Sequence, residues 1–252
     1  MGQVICITNL KGGVGKTTTA VNLSTALAIA EKKSLLVDCD PQAHATSAMG
    51  INKAKLTDTI YHVMLGKTII QKPIITSDLE ALNTLPSRIE LARAEAELMP
   101  KPDKETILRN LLCDLKKTYD YIIIDSPPSL GLLTVNAISA ADYLLIPLQC
   151  EFLALEGLEH LLKTVQSLKQ YINPEVKIAG ILLTMFEMGE NISQRIGNEI
   201  RKHFKNMVFK TVIPRSIHLR DSAVYGKPLL LTDINSLGAQ SYLKLAKEII
   251  ER

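Results

Sequence analysis

Tryptophan is absent and aromatic residues make up only 4% of the chain, which argues against a platform that stacks the bases of a single-stranded nucleic acid. The four cysteines, Cys6, Cys39, Cys113 and Cys150, lie far apart and form no C-x-x-C pair. A reducing compartment fits that pattern, and Cys6 and Cys113 fall on apolar faces where buried thiols are expected. No apolar run reaches the length of a bilayer span, and the first strand begins too early to leave room for a signal peptide, so a cytoplasmic protein is expected. Neither sign of charge dominates: 29 basic against 26 acidic residues give a net charge of +3, which permits a local basic face without announcing one. No linker, repeat or low-complexity tract breaks the 252 residues, 46% of them hydrophobic. One α/β domain over residues 1–252 is expected.

What is present is a glycine cluster between two regular elements. Val4, Ile5, Cys6 and Ile7 predict a buried strand, and the alanine- and leucine-rich stretch from Thr18 to Ala30 predicts a helix. Between them stand Lys11, Gly12, Gly13, Val14, Gly15, Lys16 and Thr17. Glycines let the backbone turn its N–H groups inward, and the helix that follows aims its positive end at the same place, which makes a phosphate cradle. In such a cradle Lys16 sits on the outer phosphates and the Thr17 hydroxyl reaches a magnesium ion. The strict P-loop pattern requires glycine where Leu10 stands, and Lys11 is an additional cation within the loop. The competing reading is a dinucleotide turn, since Gly13 and Gly15 begin a G-x-G-x-x-G pattern and Asp38 closes a second strand. Thr18 occupies its last glycine position and Lys16 and Thr17 are left without a role, so triphosphate binding is the better account.

Two more strand ends carry acids. Ser34 to Val37 predicts a strand that runs into Asp38-Cys39-Asp40-Pro41-Gln42, and Tyr121 to Ile124 predicts one capped by Asp125. Parallel sheets place their ligands at such carboxyl ends. Asp125 stands at the Walker-B position, where an acid holds magnesium directly or through water. The alternative for Asp40 is turn or helix capping ahead of Pro41. Pro127-Pro128 stiffens the path from Asp125 to a helix starting near Ser129.

The remaining pattern alternates. Helices are expected at Thr57–Leu65, at Ser87–Leu98 with a capping box of Ser87 and Glu90, and at Lys104–Lys117. Leu79–Leu82 reads as a strand, as do Tyr143–Pro147, Val176–Thr184 and Val208–Ile213, while Leu155–Tyr171, Asn191–Phe204 and Leu237–Ile250 read as helices. This order implies a mostly parallel twisted sheet with helices on both faces, the architecture of a P-loop NTPase.

Four stretches together carry a family resemblance: KGGVGKTT at Lys11–Thr18, LLVDCDPQ at Leu35–Gln42, YDYIIIDSPPSLGLLT at Tyr119–Thr134 and TVIPRSIHLRDSAVYGKPL at Thr211–Leu229. The chain resembles the ParA/Soj family of partitioning ATPases, of the deviant-Walker-A (MinD/ParA) superfamily and of the short, chromosomal type. The resemblance implies slow hydrolysis of ATP with magnesium and an ATP-dependent sandwich homodimer. Lys11 would be the signature lysine that crosses to phosphates held by the other subunit, a cationic finger supplied in trans. Lys16 would neutralise the β- and γ-phosphates, Thr17 would ligate magnesium, Asp38 and Asp125 would organise the metal's outer shell, and Asp40 would position the attacking water. Residues 11–18 would cradle the nucleotide and the strand ending at Pro214 would lie near its base. No N-K-x-D guanine reader occurs, which favours ATP.

The family also implies a ParB-type activator and non-specific binding of double-stranded DNA, with association to the nucleoid. Relatives often carry arginine where Gly189 and His218 stand here, so the DNA-contacting set would fall on Arg195, Arg201, Lys202, Lys205 and Arg220. An ordinary wet surface is the competing account of these charges. A MinD-like membrane ATPase is a further alternative, because Tyr242, Leu243, Leu245, Ala246, Ile249 and Ile250 form an amphipathic closing segment. Those residues are expected in the core instead, with no stable membrane insertion. A positioning ATPase for a non-DNA cargo, or a nucleotide-gated module that never hydrolyses, stays open. An iron–sulfur carrier is disfavoured, since Ser126 to Leu133 contains no cysteine.

Overall fold

The computed structural model describes residues 1–151, 154–187, 189 and 191–252. Its strands are β1 (Gln3–Ile7), β2 (Ser34–Asp38), β3 (Ile75–Thr76), β4 (Leu82–Leu85), β5 (Tyr121–Asp125), β6 (Tyr143–Gln149), β7 (Lys177–Phe186) and β8 (Val208–Pro214). They form one sheet in the order β3-β4-β2-β5-β1-β6-β7-β8. The pairings are parallel except that of the edge strand β3 with β4. The apolar runs of β1, β2 and β5 have this form because both of their faces are buried. Val4, Cys6, Leu35, Val37, Ile122 and Ile124 face one core, and Ile5, Ile7, Leu36 and Ile123 face the other, as the two-residue repeat of a strand dictates.

The first core is covered by α3 (Ile60–Met64), α4 (Leu91–Leu98), α5 (Ile107–Leu112), α6 (Leu132–Ala140), α7 (Ala154–Tyr171) and α8 (Asn191–Phe204). The second lies beneath α1 (Lys16–Ile29), α2 (His44–Ala48), α9 (Ile217–Val224), α10 (Leu229–Thr232) and α11 (Leu237–Ile250). Helix α1 is buried nearly all round, with α11 packed against it and the Thr19 and Tyr242 hydroxyls 3.2 Å apart. Its small alanines allow that close approach. Tyr242, Leu245, Ala246 and Ile249 of the closing helix belong to this core. No helix among the described residues is long and apolar enough to cross a membrane.

Several expectations need correction. The Ser87/Glu90 capping box does not form: α4 starts at Leu91, and the Ser87 hydroxyl donates to the Asp40 carbonyl at 2.9 Å. A capping box is present one helix earlier, where Thr59 and His62 cap α3. The strand expected at Leu79–Leu82 begins at Leu82, because Leu82 to Leu85 pair with Ser34 to Val37. The helix expected over Lys104–Lys117 is the shorter α5 followed by a 3-10 turn at Leu115–Lys117. Cys113 is exposed, unlike Cys6, Cys39 and Cys150. Helices α2, α9 and α10 and strand β3 had no anticipated counterpart; they are short, and tertiary packing rather than periodicity sets them.

The turn after α2 meets the turn after α9 at two glycines of left-handed backbone, Gly50 (φ +73) and Gly226 (φ +65), where a Cβ on Gly50 would lie 2.7 Å from the Gly226 carbonyl oxygen. Gly50→Ala is expected to lower stability by about 1–3 kcal/mol through strain and this clash, read as an earlier urea midpoint with an unchanged slope.

Candidate functional site

Strand β1 lies between β5 and β6; the chain crosses from β1 to β2 on one side and from β5 to β6 on the other, so a crevice opens above the carboxyl ends of β1, β2 and β5. The parallel register places Ile7 and Asp38 on either side of Asp125. The glycine loop fills the crevice. Gly13 (φ +75) and Gly15 (φ +90) take left-handed backbone, and Gly15 opens α1 without a side-chain cap. The first N–H groups of α1 therefore point into the loop, with the helix dipole behind them.

The loop is held from several directions. Asn9 donates to the Pro147 carbonyl at 2.7 Å and accepts from the Lys11 N–H at 3.0 Å, while Thr184 donates to the Val14 carbonyl at 2.8 Å. Lys16 is buried and its ammonium donates to the Lys11 carbonyl at 3.0 Å. Burial lowers the Lys16 pKa, against the opposing pull of Asp125 and Asp40. The Lys11 ammonium reaches Glu151 at 2.8 Å.

The acids are used unequally. Asp38 accepts from the Thr46 N–H at 2.7 Å, from the Thr46 hydroxyl at 2.6 Å and from the Asp40 N–H at 3.2 Å. Burial still raises its carboxyl to about 6, with those donors pulling it down. Asp125 is fully buried, and neither of its carboxylate oxygens has a hydrogen-bond partner among the described residues. Burial, then the neighbouring Asp38 charge, pushes its carboxyl well above the usual range; the Thr17 hydroxyl lies close enough to lower it without meeting hydrogen-bond geometry, and Lys16 lowers it further. Buried polar atoms without partners are rare. A divalent cation or its water shell, approached from the Thr17 side, supplies what Asp125 lacks, so these residues fit magnesium. Asp40 accepts from the Gln42 N–H at 2.8 Å, which makes it a turn-former as well as an acid facing the loop.

Beside the loop, a cavity of about 300 Å³ is lined by Gly15, Thr18, Thr184, Pro214, Ile217 and Tyr242 among others. Pro214, expected near the nucleotide base, lies on the wall of this cavity. The five expected DNA contacts are more dispersed. Arg195, Lys202 and Lys205 are exposed along α8 and the turn after it. Arg201 turns inward to donate to the Phe209 carbonyl at 3.0 Å, and Arg220 pairs with Asp221 at 3.1 Å. Gly189 and His218 are exposed. Glu190, one of the acids near this face, lies outside the described residues.

A family model described as an AAA domain matches residues 2–178. The chromosome partitioning protein ParA of Myxococcus xanthus is 49% identical over 252 residues, covering 100% of this chain and 89% of its own. The chain belongs to the ParA/Soj family of partitioning ATPases. The sporulation initiation inhibitor protein Soj of Bacillus subtilis is 47% identical over 249 residues, covering 99% of this chain and 98% of its own. Among solved structures, a Mycobacterium smegmatis protein described as cobyrinic acid a,c-diamide synthase, with bound ATP analog and magnesium, superposes with a TM-score of 0.88 at 33% identity, covering 100% of this chain and 95% of its own. The ParA/Soj fold thus extends to a protein named for a different reaction, and fold alone does not settle chemistry.

Motif reading missed Asn9, Thr46, Thr184 and Glu151, and gave Ser87 a capping role instead of its bond to Asp40; each acts on the loop or on the segment of an acid. Thr46→Val removes a hydroxyl from a buried carboxylate, and a loss of about 1–3 kcal/mol is expected, measured by chemical denaturation. Thr46→Ser, which keeps the donor, should recover most of it.

Proposed function

We infer that this ParA/Soj-family ATPase closes as a homodimer over two ATP molecules and uses that switch to hold and release DNA during partitioning, with a ParB-type protein as activator. The observation that carries the reading is the buried Asp125 carboxylate, without a hydrogen-bond partner among the described residues, beside Thr17 and Lys16 at the foot of the glycine loop. A site built this way stays electrostatically incomplete until cation and phosphate enter it.

In this reading the N–H groups of residues 12–18 and the start of α1 bind the phosphate oxygens. Lys16 gives up its bond to the Lys11 carbonyl and turns to the β- and γ-phosphates. Bound magnesium supplies neutralisation of the phosphate charge; Thr17 would hold it, with Asp125 and Asp38 ordering its outer shell. Asp40 orients the attacking water, and Lys11 of each subunit reaches the phosphates of the other. The cavity at Pro214 receives the adenine. The burial of Tyr242, Leu245 and Ile249 in the second core disfavours a membrane-binding role for the closing helix.

Lys16→Ala is expected to abolish binding of a fluorescent ATP analogue. Lys11→Ala should bind it yet remain monomeric in light scattering, with hydrolysis lower by about a thousandfold or more. Asp40→Ala should dimerise and stay dimeric, with steady-state phosphate release lost. A normally dimerising and hydrolysing Lys11→Ala would overturn the in-trans role.

For DNA, Arg195, Lys202 and Lys205 supply the outward charge. Replacing Lys202 or Lys205 with alanine should weaken binding to any duplex sequence alike and flatten the log K against log salt slope by about 0.9 per contact. Arg201→Ala should act chiefly through stability, because its guanidinium holds the backbone of β8.

A further inference from the structure

Lys11 is fixed at three points. Its N–H donates to the Asn9 side chain at 3.0 Å, its carbonyl accepts from Lys16 at 3.0 Å, and its ammonium pairs with Glu151 at 2.8 Å. Asn9 is itself bonded to the Pro147 carbonyl in β6. Glu151 follows the end of that strand: its N–H donates to the Gln149 carbonyl, and its own carbonyl accepts from the Ala154 N–H at the start of α7. The carboxylate is therefore presented by a turn on the strand to which the loop is already tied. The Lys11 and Glu151 side chains are 53% and 43% exposed, so an arriving charge can compete for either.

To reach the phosphates of another subunit, the Lys11 ammonium has to give up some or all of its contact with Glu151 for phosphate oxygens. We propose that Glu151 is a positioning residue for Lys11, a counter-ion in cis that parks the lysine over its own loop until a second copy presents its triphosphate. The proposal rests on the reading that Lys11 acts in trans. A half-exposed pair is a weak competitor, and a triphosphate carrying several charges displaces it, so the pair sets a threshold for closure rather than a block. Once Lys11 departs, Glu151 is left as an unpaired anion beside a site filling with anions, which opposes closure a second time. Neutralising the glutamate removes both effects.

The test is sedimentation velocity of wild type, Glu151→Gln and Glu151→Asp in magnesium and a non-hydrolysable ATP analogue, at low and at raised ionic strength. Glu151→Gln should reach half-dimer at a protein concentration about two- to fivefold below wild type. Glu151→Asp should stay close to wild type, and added salt should narrow the gap. Glu151→Ser provides the same comparison if the glutamine variant folds poorly. A neutral variant whose midpoint equals or exceeds that of a dimerising wild type overturns the proposal alone, as does a gap that salt leaves unchanged. A wild type that remains monomeric in saturating analogue overturns the in-trans reading and this proposal with it.

Discussion

Asp38 and Asp125 stand opposite one another on adjacent parallel strands, both fully buried. Strands in a sheet lie about 4.8 Å apart, and two like charges at that distance repel by about 3 kcal/mol even at an effective dielectric of about 20. The structure meets this by dividing the pair. Thr46 gives Asp38 two donors, so Asp38 carries charge more readily. Asp125 receives none among the described residues, and burial with the neighbouring Asp38 charge raises its carboxyl well above the usual range. The pair is an electrostatic deficit placed at the end of the central strands, and the surrounding elements are arranged about it: Lys16 faces it, Thr17 stands beside it, and the α1 terminus aims its dipole into the space above.

The loop's rigidity follows from the same placement. An empty anion site would collapse if its N–H groups found other partners, so the backbone must be held open by bonds that do not use those donors. Asn9 does this by donating to the Pro147 carbonyl of β6, and Thr184 of β7 by donating to the Val14 carbonyl. Lys16 occupies a carbonyl as well. The N–H groups at the start of α1 remain available to a ligand, which is the preorganisation that phosphate recognition requires.

The glycine loop, the acids at Asp38 and Asp125, and the parallel sheet were legible because each is written locally: glycine spacing sets backbone freedom, and an apolar run ending in an acid marks a buried strand end. What was not legible depends on partners distant in the chain. Ser87 has the local spelling of a capping box with Glu90, yet its hydroxyl bonds to Asp40, 47 residues away. Thr184 and Val14 are separated by 170 residues, and no periodicity announces that bond. Arg201 counts as a surface cation in a charge tally and is a backbone ligand in the fold. Charge inventories therefore overstate a nucleic-acid face, and helical phase alone does not correct them.

The two sides of the nucleotide crevice are also joined at a distance from it. Thr46 anchors α2 to Asp38, and the turn ending α2 puts Gly50 against Gly226, in the turn after α9. Helix α9 follows the strand that ends at Pro214 beside the cavity next to the glycine loop. Both glycines have left-handed backbone and no side chain between them, so the two turns touch backbone to backbone and cannot yield by a rotamer change. Helix α2, tied to Asp38 through Thr46, and the turn that follows α9 therefore meet through backbone rather than through side chains. The bond at Asp38 and the contact at Gly226 are both made by short elements, α2 and the turn after α9, whose placement depends on tertiary packing that sequence periodicity does not reveal.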